Sequence, residues 1–222
     1  MVTDQPLSLR QRKQRRTREA IIDAALTLFA ERGFDGVTVS DIAAHAEVGR
    51  TTFFRYFADK QELLFADDDE LMHVLTHALD DAAREQAPIG DNIEVAIGVA
   101  RQGLLAMTDL LARRGPWLTQ REVLVRANPA LAARALVKER QYFSTAVALL
   151  LEHEASSETA TLAVGIAAGC YQSAQATAAR NEAELSGAVD AAFHRIADLD
   201  RRALRRHLAP TKRRSKTAAP SR

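Results

Sequence analysis

The sequence predicts an all-α protein of about nine helices. Alanine and leucine are abundant, aromatic residues make up only 5% of the chain, and 10 glycines and 6 prolines in 222 residues leave few interruptions. Apolar residues recur at helical spacing in successive segments, and half of the glycines fall between those segments. The predicted helices are residues 9–32, 39–46, 50–56, 60–84, 92–113, 117–126, 129–154, 158–180 and 185–208.

Length and composition restrict the class of protein. Hydrophobic residues make up 47% and charged residues 27% of the chain, which is ordinary for a folded protein of this size. No uninterrupted apolar run reaches the roughly 18 residues of a membrane span, and the N-terminus lacks the apolar stretch of a signal peptide. The single cysteine, Cys170, excludes an internal disulfide and a cysteine-built zinc site. We expect a cytoplasmic protein without a membrane partner, and we assign it no cofactor.

The charge is distributed unevenly along the chain. Residues 1–18 contain six basic side chains and one acidic one, and residues 201–222 contain nine basic and no acidic ones. Because the whole chain carries a net charge of +1, residues 19–200 carry −13. Basic ends on an acidic body indicate a polyanionic partner, although both ends could also be solvated tails. Residues 210–222 lack apolar periodicity, and we expect a disordered basic tail there.

The first predicted helix, 9–32, has one apolar face and ends at Gly33, where a left-handed C-terminal residue fits. A capping-box pattern follows, in which Thr38 precedes Asp41 by three positions. This pattern predicts the start of the short helix 39–46.

A helix-turn-helix is predicted at about residues 39–57. Residues 47–49 interrupt the chain before helix 50–56, which has Phe53 on its apolar side. Ala43 is small where the second helix would cross over the first. The opposite face of the second helix is then free to enter a DNA major groove, which is about 12 Å wide and admits one helix. Any two helices with a short link share this outline, so the motif needs further support.

The later helices are set apart by capping and breaking residues. Asp59 and Glu62 repeat the cap pattern before helix 60–84, which leads from the predicted DNA-binding unit to the rest of the chain. A bend in this helix is expected near Asp67–Asp69. We expect this helix to move as a lever between the two parts. The breaks that follow it are Pro88 and Gly90, Gly115–Pro116, Asn128–Pro129 and Ser156–Ser157.

The strongest motif of the sequence is residues 17–64, TREAIIDAALTLFAERGFDGVTVSDIAAHAEVGRTTFFRYFADKQELL. This stretch closely resembles the N-terminal pattern of the TetR family of bacterial transcriptional regulators. The resemblance implies a helix-turn-helix DNA-binding domain at 1–66 and a helical ligand-binding and dimerisation domain at 67–209. The matching positions are Ala25, Phe29, Gly33, Thr38, Ile42, Ala43, Val48, Thr52, Tyr56, Phe57, Lys60 and Leu63.

The resemblance also implies a function: a homodimeric regulator, in most family members a repressor, that a small-molecule effector releases from a palindromic double-stranded DNA operator. It places Arg50 at the start of the recognition helix, where a guanidinium can contact guanine O6 and N7, and Lys60 at a phosphate. The DNA-binding residues that it implies are Thr38, Ser40, Arg50, Thr51, Thr52, Phe54, Arg55, Tyr56 and Lys60.

Three positions depart from the family pattern. The turn carries Glu47 where glycine is usual and Gly49 where serine is frequent, so the recognition helix lacks a hydroxyl cap. Phe54 stands where many members have a DNA-contacting tyrosine. It could press on a thymine methyl group or on sugar, or it could be a partly exposed packing residue.

The last two helices are expected to form the dimer. Residues 160–176 are rich in alanine and glycine, which let helices approach closely, and Leu185, Val189, Phe193 and Ile196 form an apolar stripe. Packing within one chain would explain the same pattern.

The middle helices are expected to enclose a pocket for a mainly apolar ligand. For each residue that we assign to this pocket, taken singly, ordinary packing in the core is favoured over contact with a ligand. The assigned residues are Met107, Leu111, Trp117, Leu118, Val125, Tyr142, Phe143 and Tyr171.

Other candidate chemistry is weak. His73 and His77 are spaced to share a helix face, but no third metal ligand is evident, and we predict no metal site. Cys170 lies among alanine and glycine and is interpreted as a small buried residue. The alternatives to a regulator are an enzyme that uses the helical pocket, for which no convergent set of titratable groups is apparent, and a DNA-organising protein without an effector.

Overall fold

The computed structural model describes residues 8–113, 117–181 and 184–198, and of residues 117–120 and 179–181 it describes the backbone alone. Within these residues the chain forms nine α-helices and one short 3₁₀ helix, which confirms the predicted all-α class. The helices are α1 (Leu9–Arg32), α2 (Val39–His45), α3 (Arg50–Tyr56), the 3₁₀ helix (Glu62–Phe65), α4 (Asp68–Gln86), α5 (Ile93–Arg113), α6 (Trp117–Ala127), α7 (Pro129–Glu152), α8 (Ser157–Asn181) and α9 (Leu185–Ala197).

The predicted helix 60–84, with its bend near Asp67–Asp69, is two separate elements. The chain forms the 3₁₀ helix first and begins α4 only at Asp68. The Leu64 amide donates to the Gln61 carbonyl at 3.1 Å and the Ala66 amide to the Leu63 carbonyl at 3.4 Å, which is the i→i+3 pattern of a 3₁₀ helix. Leu63, Leu64 and Phe65 are all buried in this short element. The single lever that we expected from Lys60 onward is therefore interrupted.

The last helix is described only in part. α9 ends at Ala197, and residues 199–208 of the predicted helix lie outside the described residues. The predicted basic tail at 210–222 also lies outside them.

The buried apolar residues fall into two clusters. The N-terminal core is built from α1, α2, α3 and the 3₁₀ helix, and it includes Leu131 of α7. The C-terminal core is built from α4, α5, α7, α8 and α9. α7 is thus the helix that contributes buried residues to both cores, with Leu131 in the first and Ala146 and Leu150 in the second.

α5 is a long helix with many apolar residues. By length and composition this helix would be able to cross a membrane, although no uninterrupted apolar run predicted it. In the structure one side of α5 is buried in the C-terminal core, through residues that include Ala96, Val99, Leu104 and Leu111.

Candidate DNA-binding site

The turn between α2 and α3 is closed by the backbone. The Val48 amide donates to the Ala43 carbonyl at 2.9 Å, and the Glu47 amide donates to the Ala44 carbonyl at 3.1 Å. Glu47 has φ +54°, in the left-handed region that favours glycine. Glu47, which stands where the family usually has glycine, is therefore the strained residue of the turn. Gly49 begins α3 without a side-chain cap, as the missing hydroxyl predicted.

The two helices are held at a fixed angle by a fully apolar contact. Ile42 and Phe53 are completely buried, and Ala43 between them is 2% exposed. The Phe53 ring also contacts Phe57, with ring centroids 5.8 Å apart. Because Phe53 occupies the inner face of α3, the residues on its other side point outward.

The outer face of α3 carries most of the predicted recognition residues. Arg50, Thr51, Phe54 and Arg55 are exposed. Phe54 is 49% exposed and meets Phe53 edge-on, with ring centroids 5.4 Å apart. This face can therefore present a guanidinium, a hydroxyl and an apolar ring together.

Two other predicted residues of α3 are less accessible. Thr52 and Tyr56 are half-buried, and the Arg55 guanidinium lies over the Tyr56 ring at 5.2 Å from its centroid. Tyr56 therefore supports the Arg55 side chain, which remains exposed.

The start of α2 is organised by the predicted capping box. The Asp41 amide donates to the Thr38 hydroxyl oxygen at 3.2 Å, and the Thr38 amide donates to the Asp41 carboxylate at 2.8 Å. The Thr38 hydroxyl also donates to the Asp41 carboxylate at 2.6 Å, and this hydrogen bond and the one from the Thr38 amide lower the pKa of Asp41. Ser40 is exposed beside them. The box fixes where α2 begins and keeps Thr38 and Ser40 at the protein surface.

Lys60 has a structural role that the sequence did not reveal. Its ammonium donates to the carbonyls of Phe34 at 2.8 Å and Val37 at 2.9 Å, and it lies 4.3 Å from the centroid of the Phe34 ring. Lys60 therefore ties the link between α1 and α2 to the segment after α3. Two of its three N–H donors are used, and its assignment to a phosphate stays a prediction.

Sequence reasoning also missed the part that α7 plays in this unit. Leu131 is completely buried in the N-terminal core. Arg134 donates to both carboxylate oxygens of Asp59, at 3.1 and 3.0 Å, and the Asn128 amide lies 3.3 Å from Asp35. These partners are 75 or more residues away in sequence, which no local pattern could indicate.

The predicted ligand residues do not form one group. Met107 and Leu111 are buried in the C-terminal core, and Phe143 packs against that core from α7. Val125 packs instead against the N-terminal core, because α6 lies beside the DNA-binding unit. The side chains of Trp117 and Leu118 lie outside the described residues.

The two predicted tyrosines lie at the polar edge of the C-terminal core. The Tyr142 hydroxyl donates to the backbone carbonyl of Asp68 at 3.1 Å, and the buried Asp68 carboxylate is 3.1 Å from the Lys138 ammonium. Burial raises the pKa of Tyr142 strongly, and burial raises that of Tyr171 to about 12. The nearby Arg121 guanidinium acts against both shifts. Both hydroxyls therefore stay protonated and are able to donate hydrogen bonds.

The described chain shows two open surface depressions, and neither is lined by a predicted ligand residue. The His73 and His77 rings stack on the surface of α4 with their centroids 6.1 Å apart. Over the described ranges, no group of three or more metal-ligating side chains is present.

Some of the small residues of α8 are buried within the chain and others are exposed. Ala160, Ala163, Ala167 and Ala174 are buried against other helices of the same chain, and so are Val189 and Phe193 of the predicted dimer stripe. The alternative of packing within one chain thus accounts for these positions. The exposed residues of α8 whose side chains are described are Ser157, Glu158, Thr161, Leu162, Gly165, Gly169, Gln172, Ser173 and Ala176.

Comparison with known proteins agrees with this geometry. Residues 21–66 match the family model of bacterial regulatory proteins of the tetR family. Over 97 residues the chain is 40% identical to the HTH-type transcriptional regulator TcmR from Streptomyces glaucescens. That match covers 44% of this chain and 41% of TcmR, so it spans less than half of either protein.

Solved structures extend the likeness of fold. The SmeT–triclosan complex has a TM-score of 0.56 at 16% identity, covering 81% of this chain and 90% of that one. Thermus thermophilus FadR, a TetR-family transcriptional repressor in complex with lauroyl-CoA, has a TM-score of 0.51 at 20% identity, covering 81% and 93%. Residues 21–66 therefore form a DNA-binding domain of the tetR family, and they stand at the head of a chain with the helical fold of TetR-family regulators.

Proposed function

We propose that the chain is a homodimeric, sequence-specific transcriptional regulator of the cytoplasm, a repressor that a small, mainly apolar ligand releases from a palindromic DNA operator. The observation that carries the proposal is the outer face of α3. Arg50, Thr51, Phe54 and Arg55 are exposed there, while Phe53 anchors the helix from the inside. A rigid helix with an exposed guanidinium at its start suits the major groove.

The dimer is supported by an exposed face on α8. Gly165 and Gly169 lie on this face with open space where a side chain would stand. Leu162 on the same helix is 52% exposed, and Ile196 of α9 is 38% exposed. A second copy could bring its own α8 close to the glycines and cover these apolar side chains. Two-fold symmetry would then match a palindromic operator.

The ligand part of the proposal is supported by chemistry. Met107, Leu111 and Phe143 are apolar, and the protonated Tyr142 and Tyr171 hydroxyls can supply polar contacts. The SmeT structure holds triclosan, an apolar aromatic compound, and the FadR structure holds lauroyl-CoA, which has an apolar acyl chain on a polar coenzyme A group. A ligand that enters between these tightly packed side chains must move the helices apart. It then shifts the protein toward the conformation with separated helices, because it binds that conformation more tightly.

Transmission to the DNA-binding unit would use α7 as well as α4. α7 places Tyr142 and Phe143 beside the ligand residues and Leu131 inside the N-terminal core. A shift of α7 would therefore move the unit that carries α3. Shifts of a few ångströms at two recognition helices would spoil the match to half-sites whose centres lie about 34–36 Å apart.

The proposal is tested by selecting duplexes from a random-sequence DNA library with the purified chain. We expect a palindromic sequence to be enriched. Arg50→Ala should weaken binding to that sequence by about 1–3 kcal/mol and relax the base preference at one position in each half-site. Arg140→Ala removes the same charge from an exposed position of α7 and should leave affinity and preference unchanged. Equal behaviour of the two variants would contradict the proposed recognition helix.

Ligand release needs a separate measurement. A thermal-shift screen of small molecules identifies a ligand, and its affinity is then measured with and without the selected duplex. We expect the duplex to weaken ligand binding by the same factor by which the ligand weakens DNA binding, about 5- to 150-fold. Identical ligand affinity in both states would refute release by this route.

A further inference from the structure

The first three turns of α1 form a helix that no other part of the described chain covers. α1 begins at Leu9 with a capping box between Ser8 and Gln11, but its first buried residue is Ile21. Leu9 itself is 79% exposed. The cap shows why this stretch is helical without a core beneath it, since it satisfies amide groups at the start of the helix.

The uncovered stretch is strongly basic. Arg10, Arg12, Lys13 and Arg16 are exposed and make no ion pair with any described residue, while Arg15 pairs with Glu19 at 3.2 Å. Arg12 and Arg16 are four positions apart and so lie on the same face of the helix, where like charges repel. A polyanion placed along the helix would relieve that repulsion. We call residues 10–16 the basic arm.

Arg18 fixes the basic arm relative to the recognition helix. Its guanidinium donates to the carbonyl of Ala66 and lies over the Phe57 ring, 5.4 Å from the centroid. Phe57 directly follows α3. From Arg18 to Arg10 the helix extends about 12 Å, at 1.5 Å for each residue. The basic arm is therefore continuous, along α1, with a residue that contacts the end of the recognition helix.

We propose that the basic arm is a second DNA contact, which binds phosphates of the duplex flanking the half-site that α3 contacts. This inference rests on the proposed function. Charge complementarity supports DNA as the occupant, because four unpaired cations follow one another over a length comparable with a few base pairs. Contacts to phosphates fix position and add affinity but carry no base preference. The basic arm thus makes affinity depend on the length of the duplex.

The test uses the full-length chain, the selected duplex and a variant in which Arg10, Arg12, Lys13 and Arg16 are replaced by glutamine. The duplex is prepared with one helical turn of flanking DNA on each side, about 10 base pairs, or with no flank. At 0.1 M salt we expect the variant to bind the long duplex at least about tenfold more weakly than the wild type does. The salt dependence, log K against log salt, should also fall in magnitude by about 3–4 units per half-site, at about 0.9 per phosphate.

The control carries Arg84→Gln, Arg126→Gln, Arg140→Gln and Arg195→Gln, four exposed positions in α4, α6, α7 and α9. It loses the same charge and should bind as the wild type does. Trimming the flanks should weaken the wild type and the control but not the arm variant. The inference is overturned if the arm variant keeps the wild-type salt dependence, if the control loses as much, or if the arm variant changes the selected base sequence.

Failure of the proposed function would look different. In that event the wild-type chain would select no DNA sequence at all. Selection of a sequence by the wild type, followed by unchanged binding of the arm variant, would refute the basic arm alone.

Discussion

Arg134 and Asp59 join α7 to the segment between α3 and the 3₁₀ helix. The Arg134 guanidinium spans both carboxylate oxygens of Asp59, and one of those oxygens also accepts the backbone amide of Glu62 at 2.8 Å. Asp59 therefore does two things, because it pairs with α7 and caps the 3₁₀ helix.

Because Asp59 has this double role, substitution of Asp59 should lower the free energy of unfolding more than substitution of Arg134. Arg134→Ala should lower the free energy of unfolding by about 0.2–1 kcal/mol, as for a partly exposed ion pair. Asp59→Ala should cost about 0.5–2 kcal/mol more, because it also removes the cap. A double-mutant cycle by urea denaturation measures both. Equal costs for the single variants would show that the cap contributes nothing.

Leu131 is predicted to be a main stabiliser of the DNA-binding unit although it lies in α7. Leu131→Ala should lower the free energy of unfolding by about 2–5 kcal/mol, because the side chain is completely buried. Leu136→Ala in the same helix is the control, since Leu136 is 65% exposed and should change stability by less than about 0.5 kcal/mol. Similar losses at both positions would contradict the described orientation of α7.

The strained turn offers a stabilising substitution. Glu47→Gly should raise the free energy of unfolding by about 0.5–1 kcal/mol, because glycine adopts positive φ without the steric cost of a side chain. Gly49→Ser should add a few tenths of a kcal/mol by capping α3. Thermal unfolding of the two single variants measures both effects, and destabilisation by Glu47→Gly would show that the Glu47 side chain makes a favourable contact.

Lys60 is predicted to matter for stability and for DNA. Lys60→Met keeps the alkyl chain but removes two charge-assisted hydrogen bonds, and it should lower the free energy of unfolding by about 1–3 kcal/mol. Lys13→Met at an exposed position should leave stability unchanged. Measured well below the unfolding temperature, Lys60→Met should also weaken binding to all duplexes equally and lower the salt dependence by about one unit per half-site. A loss confined to one operator variant would indicate base recognition instead.

Acid should weaken the contact between α5 and α9. Hydrogen bonding to Arg101 lowers the pKa of Asp190. A carboxyl group with a lowered pKa in the folded state stabilises the fold above its ordinary pKa, and that stabilisation is lost as pH falls through the folded value. Wild-type stability should therefore fall more steeply below about pH 4 than that of Asp190→Asn. Urea denaturation at several pH values, with Asp91→Asn as the control, measures this; parallel curves for all three proteins would contradict it.

Local signals in the sequence were sufficient for most of the helices. The Thr38–Asp41 capping box gave the start of α2, and the breaks at Pro88 and Asn128 separated the later helices close to their observed ends. The 3₁₀ helix was missed, because Leu63, Leu64 and Phe65 were interpreted as part of an amphipathic helix.

Long-range relationships could not be predicted. The apolar stripe of α7 shows that Leu131 is buried but not in which core, and Val125 was assigned to the wrong neighbourhood for the same reason. Lys60 has the residue type of a phosphate contact, and only the folded chain brings its ammonium to the Phe34 and Val37 carbonyls. Periodicity identifies which face of a helix is covered, whereas the partner depends on the tertiary arrangement.

The position of Leu131 bears on how such chains can be recombined. A chimera that joins residues 1–66 to the C-terminal helices of another protein would have a cavity of about the size of a leucine side chain in its N-terminal core. The cavity forms because Leu131, which fills that space, belongs to α7. The cavity would be filled again if residues 128–134 were transferred as well. It would also be filled in a recipient whose corresponding helix has a large aliphatic residue at the position of Leu131. Exchange of DNA-binding domains between proteins with this fold is therefore restricted by a side chain that lies far outside the exchanged segment.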